Sequence, residues 1–181
     1  MKPQTLLTGT FCGILSGMNQ IDRAIVTALQ TDGRMTNVEL ARLVDLAPST
    51  TIERVRRLEE RGVIRGYHAA LDPRTLGYHV QAMVLINLDR HQAGPIDKFE
   101  ARVRAVPEVK ACHHLTGRYD YMLHVVVRDI EHLRDLVTHT LAATRGVEKQ
   151  ETFLVLATVK EDCGYALDAM AENQNGSPQE A

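Results

Sequence analysis

The chain has 181 residues, 44% of them hydrophobic and 24% charged, with no Trp and a net charge of −2. That balance describes a packed globular chain and excludes a disordered or membrane-spanning one. The length allows one domain or two small ones.

Charge is unevenly placed: residues 18–67 carry eight Lys or Arg against seven Asp or Glu, and residues 68–181 carry twelve against sixteen. Arg54, Arg56, Arg57, Arg61 and Arg65 fall within twelve residues, so positive potential is concentrated there and a polyanion is the expected partner. Cys12, Cys112 and Cys163 are odd in number and far apart, which fits reduced thiols in a cytosol rather than a disulfide framework or a zinc cluster. Residues 1–17 read as a loose extension too interrupted by Thr and Gly for a signal-peptide core, leaving Met18 as a candidate native start.

Ile21, Ile25, Val26 and Leu29 recur at helical spacing and predict a first helix over 21–30. Thr36-Asn-Val-Glu39 has the form of a capping box, so a second helix starts near Asn37 and ends by Val44. After Asp45-Leu46-Ala47, Pro48 suits the first turn of a third helix, which runs to Arg61 and stops at Gly62. Three such helices with a short turn between the last two make a helix-turn-helix. At 100° per residue, Ile52, Val55, Leu58 and Glu59 should face inward, leaving Ser49, Thr50, Glu53, Arg54, Arg57 and Arg61 outward. Hydroxyls at a helix N-terminus followed by arginines one turn apart are what a DNA major groove would meet, and Thr51 is counted with that set. The plain alternative is a solvated charged face with Glu53 and Arg57 as an i,i+4 pair.

Residues 63–71 read as an extended connector, and the turn Asp72-Pro73 marks the domain boundary. Apolar alternation predicts a strand over 78–89, and helical spacing from Ile96 to Val106 predicts a helix closed by Pro107. Strands over 109–115 and 121–127, a helix over 130–143 and a strand over 147–159 complete the order βαββαβ. That order is the ferredoxin-like sandwich, with both helices on one face of the sheet. The expected organisation is therefore α+β: an extension (1–17), a winged-type helix-turn-helix with its connector (18–72), a ferredoxin-like domain (73–163), and a tail (164–181). A short helix after Cys163 and a disordered end over 173–181 are expected.

The chain resembles the leucine-responsive/asparagine-regulator (Lrp/AsnC) family over residues 21–160. The resemblance is carried by Ile21-Asp22-Arg23, Leu29-Gln-Thr-Asp-Gly-Arg34, Asn37-Val-Glu-Leu40, Arg54-Val-Arg-Arg-Leu-Glu59, Gly62-Val-Ile-Arg-Gly-Tyr67, Leu76-Gly77, Pro107-Glu-Val109, Gly117-Arg-Tyr-Asp-Tyr121 and Thr158-Val-Lys160. It implies a transcriptional regulator that binds duplex DNA, dimerises through its C-terminal sheets, often assembles into octamers and answers to an amino acid. It also places the effector near Gly117, Arg118, Tyr119, Asp120 and Tyr121.

Two departures from the family pattern stand out. Ala47-Pro48-Ser49-Thr50 replaces the usual Ser-Pro-Thr-Pro, removing a side-chain cap, and Arg118 stands where an acidic residue is frequent. From the residues alone, the turn after Gly117 reads first as a β-turn in which Asp120 bonds its own backbone, and it is the resemblance that favours a ligand site.

Other chemistries are weaker. His113 and His114 would face opposite sides of a strand, and with His124 they show no metal-ligand spacing. Sirohaem decarboxylases resemble both domains, and in that reading His113, His114 or Arg118 would hold tetrapyrrole carboxylates; the arginine stripe argues against it. An architectural role, wrapping DNA with little specificity, is compatible with regulation. No enzyme activity, cofactor or metal is expected.

Overall fold

The structure, a computed structural model, describes residues 18–89, 95–161 and 164–167. The extension 1–17, Cys12, Cys163 and the expected disordered end lie outside the described residues. The chain divides into two units, one of them continuous from Ala70 to Lys160 and the other containing the residues before it together with those from Glu161 onward.

In the first unit, α1 (Gln20–Thr31), α2 (Asn37–Leu43) and α3 (Pro48–Glu60) form the trihelical core. Asn19 caps α1 by accepting from the Asp22 amide at 2.8 Å, and the Thr36–Glu39 capping box is complete at the start of α2. Asp45 adopts φ 52° between α2 and α3, a left-handed conformation that Asp tolerates and that turns the chain sharply. Ile25, Leu40 and Leu58 are fully buried, and Val55, Val63 and Ile64 pack around Ile25 and Leu58. The amides of Val63 and Ile64 both bond to Leu58 O, so the connector leaves α3 by folding back on its last turn.

Residues 164–167 are not helical, and the rest of the stretch where a short helix is expected lies outside the described residues. Gln30 holds that segment by its side chain, accepting from the Tyr165 amide at 2.7 Å and donating to Tyr165 O at 3.2 Å, while Leu167 packs against the helical core.

The second unit is built from β1 (Val80–Leu88), α4 (Pro95–Arg104), β2 (Val109–His114), β3 (Tyr121–Val127), α5 (Ile130–Asp135, continuing as a π-turn over Leu136–Leu141) and β4 (Val147–Leu154). The sheet order is β2-β3-β1-β4 and every pair is antiparallel, which is the βαββαβ sandwich. Ala82, Val84, Ile86 and Leu88 alternate onto one face, where Phe99 and Val103 of α4 and Leu133, Leu136 and Leu141 of the second helix join one core.

Two predicted elements are shorter or different. β4 ends at Leu154 because β1 offers no partner beyond the bond from Val155 N to Gln81 O; the apolar run through Val159 is exposed. The helix after Ile130 widens into a π-turn at Val137, whose carbonyl accepts both the Ala142 amide and the Gln150 side chain.

Candidate nucleic-acid interface and effector turn

Helix α3 presents two unlike sides. Ser49, Thr50, Arg57 and Arg61 are exposed, as predicted, and Glu53 lies at the edge of the same side. Glu53 bonds Arg56 at 2.8 Å and lies 3.4 Å from Arg57, and the Arg56 guanidinium holds its carboxyl below the usual carboxylate range. These partners are open to water, so phosphate groups can displace Glu53 from Arg56 and Arg57 at little cost.

The inward side differs from the helical projection by one position. Thr51, predicted to face DNA, is fully buried, with its hydroxyl donating to Ala47 O at 3.2 Å. Arg54, also predicted to face DNA, turns to α1 and pairs with Asp22 at 2.9 Å. Ile52 and Glu59, expected inside, are exposed, and Glu59 accepts from the Tyr67 hydroxyl at 3.0 Å. The reason is packing: a projection sends the apolar side chains of α3 inward, whereas Thr51 is the buried residue and Arg54 is drawn to Asp22 of α1. The signal for this was Asp22 itself, a carboxylate three residues before Ile25 on the apolar face of the first helix, which demands a cation from a neighbouring element. Arg56, outside the expected set, is exposed as well.

The turn between β2 and β3 is entered through Gly117 at φ 126°, a conformation side chains rarely adopt. Arg118 lies 5.5 Å from the centroid of the Tyr119 ring. The Tyr119 hydroxyl donates to Glu151 on β4; that bond raises the Tyr119 pKa, and Glu151 is held low by Lys149, 2.8 Å away, and by Tyr119.

Asp120 closes its own turn by its carbonyl, which accepts from the Leu115 amide at 2.8 Å, and its side chain reaches outside the turn. Its Oδ2 accepts from the Leu88 amide at 2.9 Å, and its own amide donates to Ile86 O, so it sutures the start of β3 to the end of β1. Tyr121 is buried to 2% exposure, stacked on His114 at 4.6 Å, with its hydroxyl donating to Glu100 at 3.1 Å. Burial first, and then the Glu100 carboxylate, push its pKa to about 12, so it stays a donor at any ordinary pH. Of the five predicted effector residues, Gly117, Arg118 and Tyr119 occupy the surface of the turn. Asp120 and Tyr121 hold it in place from behind.

Among the described residues no group of His, Cys, Asp and Glu could hold a metal ion, and no helix is long and apolar enough to cross a membrane.

A trihelical unit with one exposed cationic helix, followed by a βαββαβ domain, defines a DNA-binding regulator with an appended ligand-binding domain. Residues 18–65 match the winged helix-turn-helix DNA-binding model and residues 81–165 the Lrp/AsnC ligand binding domain. The leucine-responsive regulatory protein of Salmonella typhimurium is 40% identical over 144 residues, covering 80% of this chain and 88% of that one. The HTH-type transcriptional regulator AldR of Mycolicibacterium smegmatis is 42% identical over 138 residues, 76% of this chain and 81% of that one. Among solved structures, a Neisseria meningitidis transcriptional regulator in complex with L-Met superposes with a TM-score of 0.80 at 33% identity, covering 84% of this chain and 99% of that chain. Escherichia coli AsnC superposes at 0.73 and 26% identity, covering 80% and 95%. The chain belongs to the Lrp/AsnC family of transcriptional regulators.

Proposed function

We propose that this regulator reads duplex DNA with Ser49, Thr50, Glu53, Arg57 and Arg61, acts as a homodimer or larger assembly in the cytoplasm, and changes its DNA binding on taking up an amino acid at the Gly117–Tyr119 surface. The observation that carries the DNA reading is the asymmetry of α3. Leu58, Thr51 and the Asp22–Arg54 pair lock one side to the trihelical core, while the other keeps its hydroxyls and arginines in water. Such a helix can enter a major groove without unfolding anything.

Self-association is supported by the sheet face turned away from the helices. By register, Met83 and Leu85 of β1, Met122 and His124 of β3 and Phe153 of β4 share that face, and Phe153 is 51% exposed. Met83, Leu85, Met122 and Phe153 make an apolar patch there, bordered by His124 and by Glu151 opposite Leu85. Such a patch suits self-association, and a second copy would supply the symmetric half-site that one helix-turn-helix lacks. Amino-acid sensing rests on family membership and on the L-Met complex of the Neisseria meningitidis relative.

The test is selection of bound duplexes from a random-sequence library, followed by titration of the enriched site at several salt concentrations. Arg57→Ala and Arg61→Ala should each weaken binding by about 1–3 kcal/mol where a base edge is contacted, or reduce the salt slope by about one where only phosphate is. Unchanged affinity and slope in both variants, with helicity intact, would remove α3 from the interface.

A further inference from the structure

Ile52, in the middle of α3, leaves 48% of its surface in water. A lone exposed apolar residue ordinarily says nothing, since soluble proteins scatter them over their surfaces. Its place on the helix distinguishes this one. Thr51 and Leu58 are buried and Arg54 is drawn to Asp22 of α1, which fixes the inner side of α3. At about 100° per residue, the side opposite those three is made of Ser49, Ile52, Glu53, Arg56 and Glu60. A helix laid in a major groove turns its outermost row to the base edges and its flanks to the phosphates. Ile52 therefore stands in the row that meets bases, between Ser49 and the Glu53–Arg56 pair.

The charged neighbours of Ile52 already have partners. Glu53 binds Arg56 at 2.8 Å and lies 3.4 Å from Arg57, Glu60 lies 3.6 Å from Arg56, and Glu59 accepts from the Tyr67 hydroxyl at 3.0 Å. These contacts are open to water, and phosphate can replace the carboxylates on the arginines whatever the base sequence. Discrimination between sequences then falls in part to the uncharged side chains of the row, Ser49 and Ile52.

In the major groove every base pair displays hydrogen-bond donors and acceptors, and thymine alone adds an apolar group, its methyl. Pressing Ile52 against donors or acceptors would strip them of water and return nothing, whereas against a thymine methyl both apolar surfaces leave water together. Isoleucine is also stiff, because its branched Cβ holds one rotamer in a helix, so little freedom is lost on meeting a fixed target. We infer that Ile52 is a specificity-determining residue of this regulator, reading the methyl group of one thymine in each half-site of its DNA. The inference rests on the reading that α3 enters the major groove, and it adds to that reading a residue and the base it selects.

The test uses the full chain and the duplex enriched from the random-sequence library. Each thymine of that duplex is replaced in turn by deoxyuridine, which pairs identically and lacks only the methyl group. For the wild type, replacement at one thymine of a half-site should weaken binding about fourfold, the worth of one buried methyl group, and replacement elsewhere should matter less. Ile52→Ala should bind the thymine and uracil duplexes equally at that position, with the wild-type salt slope because no charge is lost. The position is half in water and alanine favours helix, so the melting temperature of Ile52→Ala should stay close to that of the wild type, which separates lost reading from lost fold. Wild-type protein indifferent to uracil at every position would overturn the inference, and so would an Ile52→Ala variant that keeps the full uracil penalty. Either result, with Arg57→Ala and Arg61→Ala still weakening binding, would leave α3 in the groove and remove only the methyl contact. Failure to enrich any duplex would sink the reading of α3 and this inference with it.

Discussion

Arg54 was expected at the DNA, and the structure sets it against α1, so its removal should be felt first in stability. Asp22 keeps 11% of its side-chain surface and Arg54 27%, with 2.9 Å between Oδ1 and Nη1. Breaking a fully buried pair by removing one partner costs about 3–5 kcal/mol, and a charge-assisted hydrogen bond contributes about 1.5–3 kcal/mol. Arg54 is partly solvated, and its Nε finds no acceptor among the described residues, so the lower range applies.

Arg54→Ala should therefore destabilise the helical unit by about 2 kcal/mol, or roughly 8–16 °C for a unit of this size. Asp22→Ala should cost less, about 1 kcal/mol, because the arginine left behind can swing to water. The double variant should be no worse than Arg54→Ala, giving a coupling of about 1–2 kcal/mol. Urea unfolding of the whole chain, followed by circular dichroism, measures all three. If the single effects add within about 0.5 kcal/mol, the pair is not an anchor. If Arg54→Ala leaves stability untouched and only weakens DNA binding, the arginine reaches DNA in the complex and this reasoning fails.

Leu85→Arg places a charge in the middle of the open sheet face; light scattering should then report a smaller assembly than the wild type, and an unchanged mass would exclude that face as the interface. The His124 pKa is pushed down by burial and, second, by Lys110, so folding disfavours its protonated form. The stability this group contributes is complete above about pH 6.5 and is lost as pH falls through the lowered folded value. His124→Gln should flatten that part of the stability profile in thermal melts from pH 7 to pH 5, and an unaltered slope would assign it to other groups.

Local signals were enough to write most of the fold. The capping box at Thr36–Glu39, Pro48 at the first turn of α3 and Gly62 after it mark helix ends through hydrogen bonds that close within four residues, so neighbouring letters suffice to see them. Alternation along β1 likewise states which residues face the core, because a strand's side chains have a strict period of two. The family resemblance, spread over most of the chain, supplied the regulatory role.

What a side chain meets across the fold is another matter. The rotation of α3 was misjudged by one position because Thr51 and Arg54 look like surface residues until Asp22 of another helix arrives beside them. Asp120 reads as a turn residue until Leu88, thirty-two positions earlier, presents its amide, and Tyr121 reads as a turn hydroxyl until Glu100 and His114 enclose it. Element boundaries depend on contacts a few residues apart, which the sequence encodes directly. The chemistry of a site depends on which distant groups share a dielectric environment, and only the tertiary packing decides that.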